Sequence, residues 1–274
     1  MNPSLNHVLM LQLDEAFRNQ TQLRTHVHKN LDLSHIHGSN MYCSEESYAQ
    51  FEYELHKTQK QNLCFIGGGN YHYISYFMLS RIRQDFSLVL FDNHTDSSPG
   101  MPILSCGSWV DWALRKLPRL KKVLIIGVQD SHASLISPDF SDLVQCIPHS
   151  QLSDTDLITK ALSYLPTQAC YLSIDKDVLL PQYASTNWDQ GILSLDSLLY
   201  YISIVQSHSQ ILSADVCGEA THGESISYNN PQLQSPNEMV NLAIFNQLCS
   251  LKTHRESKPQ SIFSLRNRRN NRSA

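Results

Sequence analysis

Seven short runs of almost wholly apolar residues recur along the chain, and they limit its fold more than any other feature. They are "HVLMLQL" (7–13), "LCFI" (63–66), "SLVLF" (87–91), "VLIIGV" (123–128), "LVQCI" (143–147), "CYLSI" (170–174) and "ILSADVC" (211–217). A strand with one wet face alternates apolar and polar residues. A run that is apolar throughout belongs to a strand covered on both faces, as in a parallel sheet held between helices. Helical patterns fill the intervals near 45–60, 71–84, 107–117, 153–164, 194–208 and 236–250. In the last, Ser235 caps, Pro236 suits the first turn and Glu238 completes a capping box. The expected class is α/β, with three layers (α/β/α) around a mostly parallel central sheet.

The 274 residues suit one such domain, expected over 1–250, followed by a basic, flexible tail over 251–274. From Lys252 onward, seven Lys/Arg face the single acid Glu256, a local +6 that leaves −10 on the preceding residues from the net −4. A basic end could touch nucleic acid, but a solvated terminus is the simpler reading and nothing else supports nucleic-acid binding. No run reaches the roughly 20 apolar residues that cross a bilayer. The N-terminus lacks the basic region of a signal peptide. The seven cysteines show no CxxC pair and read as reduced residues, so a cytoplasmic protein is expected. Residues 21–43 have weak periodicity and two HxH pairs (His26/His28, His35/His37). Without acidic or cysteine partners these read as a polar surface connection.

The chemistry gathers where apolar runs stop. After "SLVLF" come Asp92, His94 and Asp96 at alternate positions, which share a side if the backbone stays extended. After "CYLSI" come Asp175 and Asp177. After "LCFI" a glycine triplet, Gly67–Gly69, allows a tight turn and is followed by His72. Sites in open parallel sheets form at such strand ends. Four aspartates and two histidines exceed what one metal uses but suit two divalent cations. Oxygen ligands with a minority of imidazole favour manganese over zinc.

In this order the motifs resemble those of the ureohydrolase family (arginases, agmatinases, formimidoylglutamases), whose pattern runs GG-D-H, D-A-H-x-D, S-x-D-x-D-x-x-D-P. Here they read Gly68-Gly69-Asn70-Tyr71-His72, Asp92-Asn93-His94-Thr95-Asp96 and Ser173-Ile174-Asp175-Lys176-Asp177, and "TNWDQGILSLDSL" is similar to the family's glycine turn before a helix. The resemblance covers most of 60–250. It implies an arginase-like fold, a trimeric or hexameric assembly and two Mn2+, with Ni2+ or Co2+ as substitutes. One metal would take His72, Asp92, Asp96 and Asp175, and the other His94, Asp92, Asp175 and Asp177. A bridging hydroxide would attack the carbon of a small guanidino or amidino substrate and break its C–N bond.

The chain also departs from the pattern. An extra residue separates the glycines from His72, so an ungapped alignment puts Asn70 at the ligand position. "ILSCGSWVDW" has Cys106 or Ser108 where arginases carry a proton-shuttling histidine; His222 is a substitute, although a surface histidine is the simpler reading. Glu219, expected to hold the guanidinium, falls one position late. Lys176 should face away from Asp175 and Asp177. Trp109, Trp112 and Trp188 flank the same loops, as pocket walls or as packing. A single-zinc deacetylase of acetylpolyamines would use fewer acids, and a metallophosphoesterase would place its DxH first. The rival of another class is a noncatalytic binding or assembly protein on the same fold.

Overall fold

The computed structural model describes residues 5–58, 60–220 and 236–249. Its strands are β1 (Val8–Gln12), β2 (Lys29–Asp32), β3 (Leu63–Phe65), β4 (Phe86–Phe91), β5 (Leu120–Val128), β6 (Val144–Pro148), β7 (Ala169–Asp175) and β8 (Gln210–Cys217). They form one eight-stranded sheet in the order β2-β1-β3-β8-β7-β4-β5-β6. Every pairing is parallel. All six residues of β4 and all seven of β7 are buried, as strands with two covered faces require.

Seven helices, α1 (Thr21–Arg24), α2 (Glu45–His56), α3 (Ile74–Leu79), α4 (Trp109–Lys116), α5 (Thr155–Ser163), α6 (Leu195–His208) and α7 (Pro236–Cys249), supply the outer layers among the described residues. Alternate strand positions feed opposite cores. Val89, Phe91, Leu172 and Ile174 join Ile158 of α5, Ile202 of α6 and Ile244 of α7. Leu88, Leu90 and Tyr171 join Phe51 of α2, Phe77 of α3 and Val110 of α4. The result is the expected three-layer α/β/α arrangement.

One local expectation needs correction. The stretch 21–43 is not merely a connection: it contains α1 and β2, and β2 extends the sheet beside β1. As an edge strand, β2 is nowhere fully buried, so it lacks the apolar signal of its neighbours. The paired histidines nearby do not cluster: His28 Nδ1 accepts from the Val8 N–H at 3.3 Å, and His26 lies against Phe245 with ring centres 4.4 Å apart. Glu238 has a role at another helix. Its Oε1 accepts the N–H groups of Gln22 at 2.7 Å and Leu23 at 3.1 Å, capping α1. Ser235, its expected partner, lies outside the described residues.

All seven cysteines are free. Among the described residues no helix is long and apolar enough to cross a membrane. The strand order places the site. Strands β3 and β4 follow one another in the chain, yet β8 and β7 lie between them. Chain crossovers therefore diverge around this gap, and the crevice beyond the C-terminal strand ends is where such sheets bind ligands.

Candidate metal centre

Each central strand delivers part of one polar cluster at that end. Strand β4 stops at Phe91 and Asp92 follows, 1% exposed and still tied by its N–H to Ile126 O at 3.2 Å. The chain then departs from the extended form assumed from the sequence, since Asp96 has φ +46°. Aspartate tolerates this left-handed conformation better than most residues. The turn, rather than strand alternation, brings Asp96 back to the cluster. Trp109 Nε1 holds it there, donating to Asp96 Oδ2 at 2.6 Å.

After β3, the glycine triplet leads through a tight turn, Gly69–Tyr71, to His72, which is 1% exposed. His72 Nδ1 lies 2.9 Å from Asp96 Oδ2, 3.3 Å from Asp175 Oδ2 and 3.4 Å from Asp92 Oδ2. On the other side of Asp92, His94 Nδ1 lies 2.9 Å from Asp177 Oδ2 and 3.5 Å from Asp92 Oδ1. Two donor groups result, His72/Asp92/Asp96 and Asp92/His94/Asp177, with the atoms of each within 4.8 Å of one another. Asp92 belongs to both, and Asp175 stands beside the first through His72.

Three observations test whether these residues fit cations. Asp92 Oδ2 is buried and has no hydrogen-bond partner, a costly state for a carboxylate oxygen unless a cation faces it. Ser173 Oγ, 2.9 Å from His72 Nε2, donates to Asp215 Oδ1 at 2.7 Å. The Ser173 proton is therefore used, Nε2 must donate, and Nδ1 is the nitrogen left to face the carboxylates. Finally, the charges strain one another. Burial and then the charges of Asp96 and Asp177 raise the Asp92 carboxyl well above its usual range. Burial and then Asp177 push Asp175 up to about 7. Burial pulls the His72 imidazolium down, but its hydrogen bond to Asp96 and the surrounding carboxylates outweigh this and bring it up to about 10. Burial likewise opposes the His94 imidazolium, and its bonds to Asp177 and Asp92 win, raising it. Four carboxylates in one buried spot need positive charge, and two dications match them. The donor set fits a metal pair.

Asn70 takes no part in the cluster. It donates to Asn40 Oδ1 at 2.8 Å and accepts from Trp188 Nε1 at 3.0 Å, so His72 is the residue turned toward the carboxylates. Lys176, between two of those carboxylates in sequence, points away as expected and is fully buried. It pairs with Glu219.

That pairing alters the reading of Glu219. Its Oε2 accepts from Gln20 Nε2 at 2.9 Å and Asn237 Nδ2 at 2.7 Å, and its Oε1 accepts from Asn241 Nδ2 at 2.6 Å and from Lys176. With both oxygens engaged behind the sheet ends, Glu219 does not face the cavity where a guanidinium would be held. Gly218, the preceding residue, packs against the end of β7. It has φ +84°, and a Cβ there would collide with Asp175 Oδ1, so no side chain fits. The one-residue offset reverses the face, as strand geometry demands. His222 lies outside the described residues.

Beside the cluster is a cavity of about 170 Å³ bordered by His94, Asp175, Cys106, His132, Leu135 and Trp188, among others. Cys106 does line it, and burial first, then Asp96, push its thiol up to about 12. Trp109 and Trp112 do not; Trp109 is fully buried behind Asp96 and Trp112 packs edge-on against Tyr76. Sequence reasoning missed His132, whose ring stacks on His94 at 5.6 Å, and Asp189, whose Oδ1 lies 3.1 Å from His94 Nε2. Nothing local marks either one. It also missed Asp215, which takes Tyr171 Oη at 2.5 Å and supports His72 through Ser173. A lone aspartate inside the apolar run "ILSADVC" was the available signal.

Comparison with known proteins agrees with this architecture. The model of the Arginase family matches residues 6–219. An uncharacterized protein of Thermotoga maritima is 35% identical over 192 residues, 70% of each chain. Arginase from Bacillus caldovelox superposes with a TM-score of 0.63 at 15% identity, covering 92% of this chain and 100% of its own. Proclavaminate amidino hydrolase from Streptomyces clavuligerus gives 0.64 at 12% identity, covering 90% and 92%.

Proposed function

The chain belongs to the arginase family, and from that premise we propose that it hydrolyses a C–N bond of a small linear guanidino or amidino compound with the help of two divalent cations. The observation that carries this reading is Asp92. Its two oxygens serve two imidazole-containing donor groups, and Oδ2 is buried without a hydrogen bond from the protein. One cation would be held by His72, Asp92, Asp96 and Asp175, and the other by His94, Asp92, Asp175 and Asp177. Bound there, such a pair would supply Lewis-acid polarisation of a C=N group and would lower the pKa of a water toward neutrality.

The protein's own residues set the conditions for that chemistry. Ser173 and Asp215 fix the His72 tautomer, so that its Nδ1 lone pair points inward. Asp189 reaches His94 Nε2 in the same manner, leaving Nδ1 toward Asp177. The Asn93 N–H donates to Asp177 Oδ1 at 3.0 Å and the Asp177 N–H to Asp175 Oδ1 at 2.9 Å, so each carboxylate keeps its other oxygen for the cluster. Oxygen-rich donors with two imidazoles favour manganese, and nickel or cobalt suits the same set. The reading includes the trimer or hexamer that the family resemblance implied. A scaffold without catalysis is disfavoured, because crowding four carboxylates is costly unless cations offset it.

Replacing Asp175 with alanine tests this. The purified variant is expected to lose both metals and to release no urea, ammonia or formamide from a panel of guanidino and formimino compounds that the wild type cleaves. Wild-type protein holding two metals per chain yet cleaving none of the panel would overturn the hydrolase reading.

A further inference from the structure

The cavity beside the metal cluster lacks the usual means of holding a cationic substrate. Among the described residues its only carboxylates are Asp96, Asp175 and Asp177, all in the proposed ligand set. Gly218 excludes an acidic side chain at its own position, and the Glu219 carboxylate is consumed by Lys176, Gln20, Asn237 and Asn241. What the cavity has instead is aromatic. His94, His132 and Trp188 border it together, with His132 stacked on His94 and the Trp188 ring edge-on to His94 at 6.0 Å.

Trp188 is held in place by several contacts. Its Nε1 donates to Asn70 Oδ1 at 3.0 Å, and Asn70 is fixed in turn by its bond to Asn40 at 2.8 Å. The Trp188 carbonyl accepts from Thr186 Oγ1 at 2.8 Å. The indole rests on bare backbone: a Cβ on Gly69 would stand 2.9 Å from Trp188 Cδ1 and 3.6 Å from Asp175 Oδ2. Gly69 thus lets the ring reach the edge of the metal cluster. The indole donor is satisfied outside the cavity, which leaves the ring itself as the surface a ligand meets.

We propose that Trp188 is the specificity-determining residue of this site, and that it holds the planar amidinium of a small substrate by a cation–π contact in place of a carboxylate. The inference rests on the amidinohydrolase reading above for the kind of substrate, but not on turnover. Tryptophan is the best aromatic partner for a cation, and a contact of this type contributes about 0.5–2 kcal/mol. That corresponds to about 2- to 30-fold in affinity. Asn70 is a positioning residue, acting only through the indole. A volume of about 170 Å³ favours a short ligand.

Isothermal titration calorimetry of the full, manganese-loaded chain tests the proposal with methylguanidinium and its neutral counterpart methylurea. Wild type is expected to bind methylguanidinium about 2- to 30-fold more tightly, since the two probes differ little except in charge. Trp188→Leu should lose about 2- to 30-fold of methylguanidinium affinity while retaining its metals. Trp188→Phe should retain most of the affinity, and Asn70→Ala should fall between them. Equal binding of the two probes by wild type, or no detectable methylguanidinium binding, overturns the proposal without needing any variant. So does a folded, metal-replete Trp188→Leu protein with unchanged affinity. If methylguanidinium binds through Trp188 but no amidine is cleaved, the hydrolase reading fails and this one stands.

Discussion

Asp92 Oδ1 accepts the His94 N–H at 2.6 Å, while Oδ2 meets no protein donor and lies 3.4 Å from His72 Nδ1. That division lets one carboxylate join two donor groups. Its neighbours need comparable support, which Ser173 gives to His72. Replacing Ser173 with alanine should weaken metal binding at the His72 group by about 10- to 100-fold, the usual consequence of removing a partner that orients a metal-ligating histidine. Competition with a calibrated chelator would measure this, and unchanged affinity would mean that His72 needs no such orientation. The acidic motifs were legible because they follow apolar runs directly. The positions of Asn70 and Glu219 were harder to read. Local sequence offered an insertion at one and an offset at the other, and only the folded chain shows that the insertion turns His72 inward and the offset turns Glu219 away.

The ends of β7 and β8 are joined to α7 and the region of α1 by a polar cluster buried beneath the site. Lys176 also donates to Asn241 Oδ1 at 3.1 Å, and Glu219 gathers the remaining donors. Removing one member of a buried ion pair leaves an unpaired charge and costs about 3–5 kcal/mol. Lys176→Met should therefore destabilise the protein by about that amount in denaturant unfolding. Lys176→Met combined with Glu219→Gln should recover part of the loss, since neither partner is then charged. A double variant no more stable than the single one would show that the pair does not act as a unit. The sequence announced this packing only faintly. Strands β4 and β7 declare themselves because every position is apolar, whereas β2 sits at the sheet edge and the partners of Glu238 and Glu219 come from distant parts of the chain. Such long-range polar pairing leaves no periodicity to read.

For the molecule as a whole, the parallel order brings the ends of β3, β4, β7 and β8 together, and the chain's cluster of buried carboxylates follows from that convergence. The layered fold was legible from the alternation of apolar runs and helical patterns. The aromatic side of the cavity was not, because His132 and Trp188 come from loops whose sequence gives no sign that they meet. The carboxylate cluster makes physical sense as the holder of a metal pair. The most direct measurement is metal content per chain, by inductively coupled plasma mass spectrometry, on protein purified without an affinity metal column and then equilibrated with manganese and desalted. The account predicts about two metals per chain, the number set by two donor groups sharing Asp92. A single metal, or none after manganese is supplied, would contradict it.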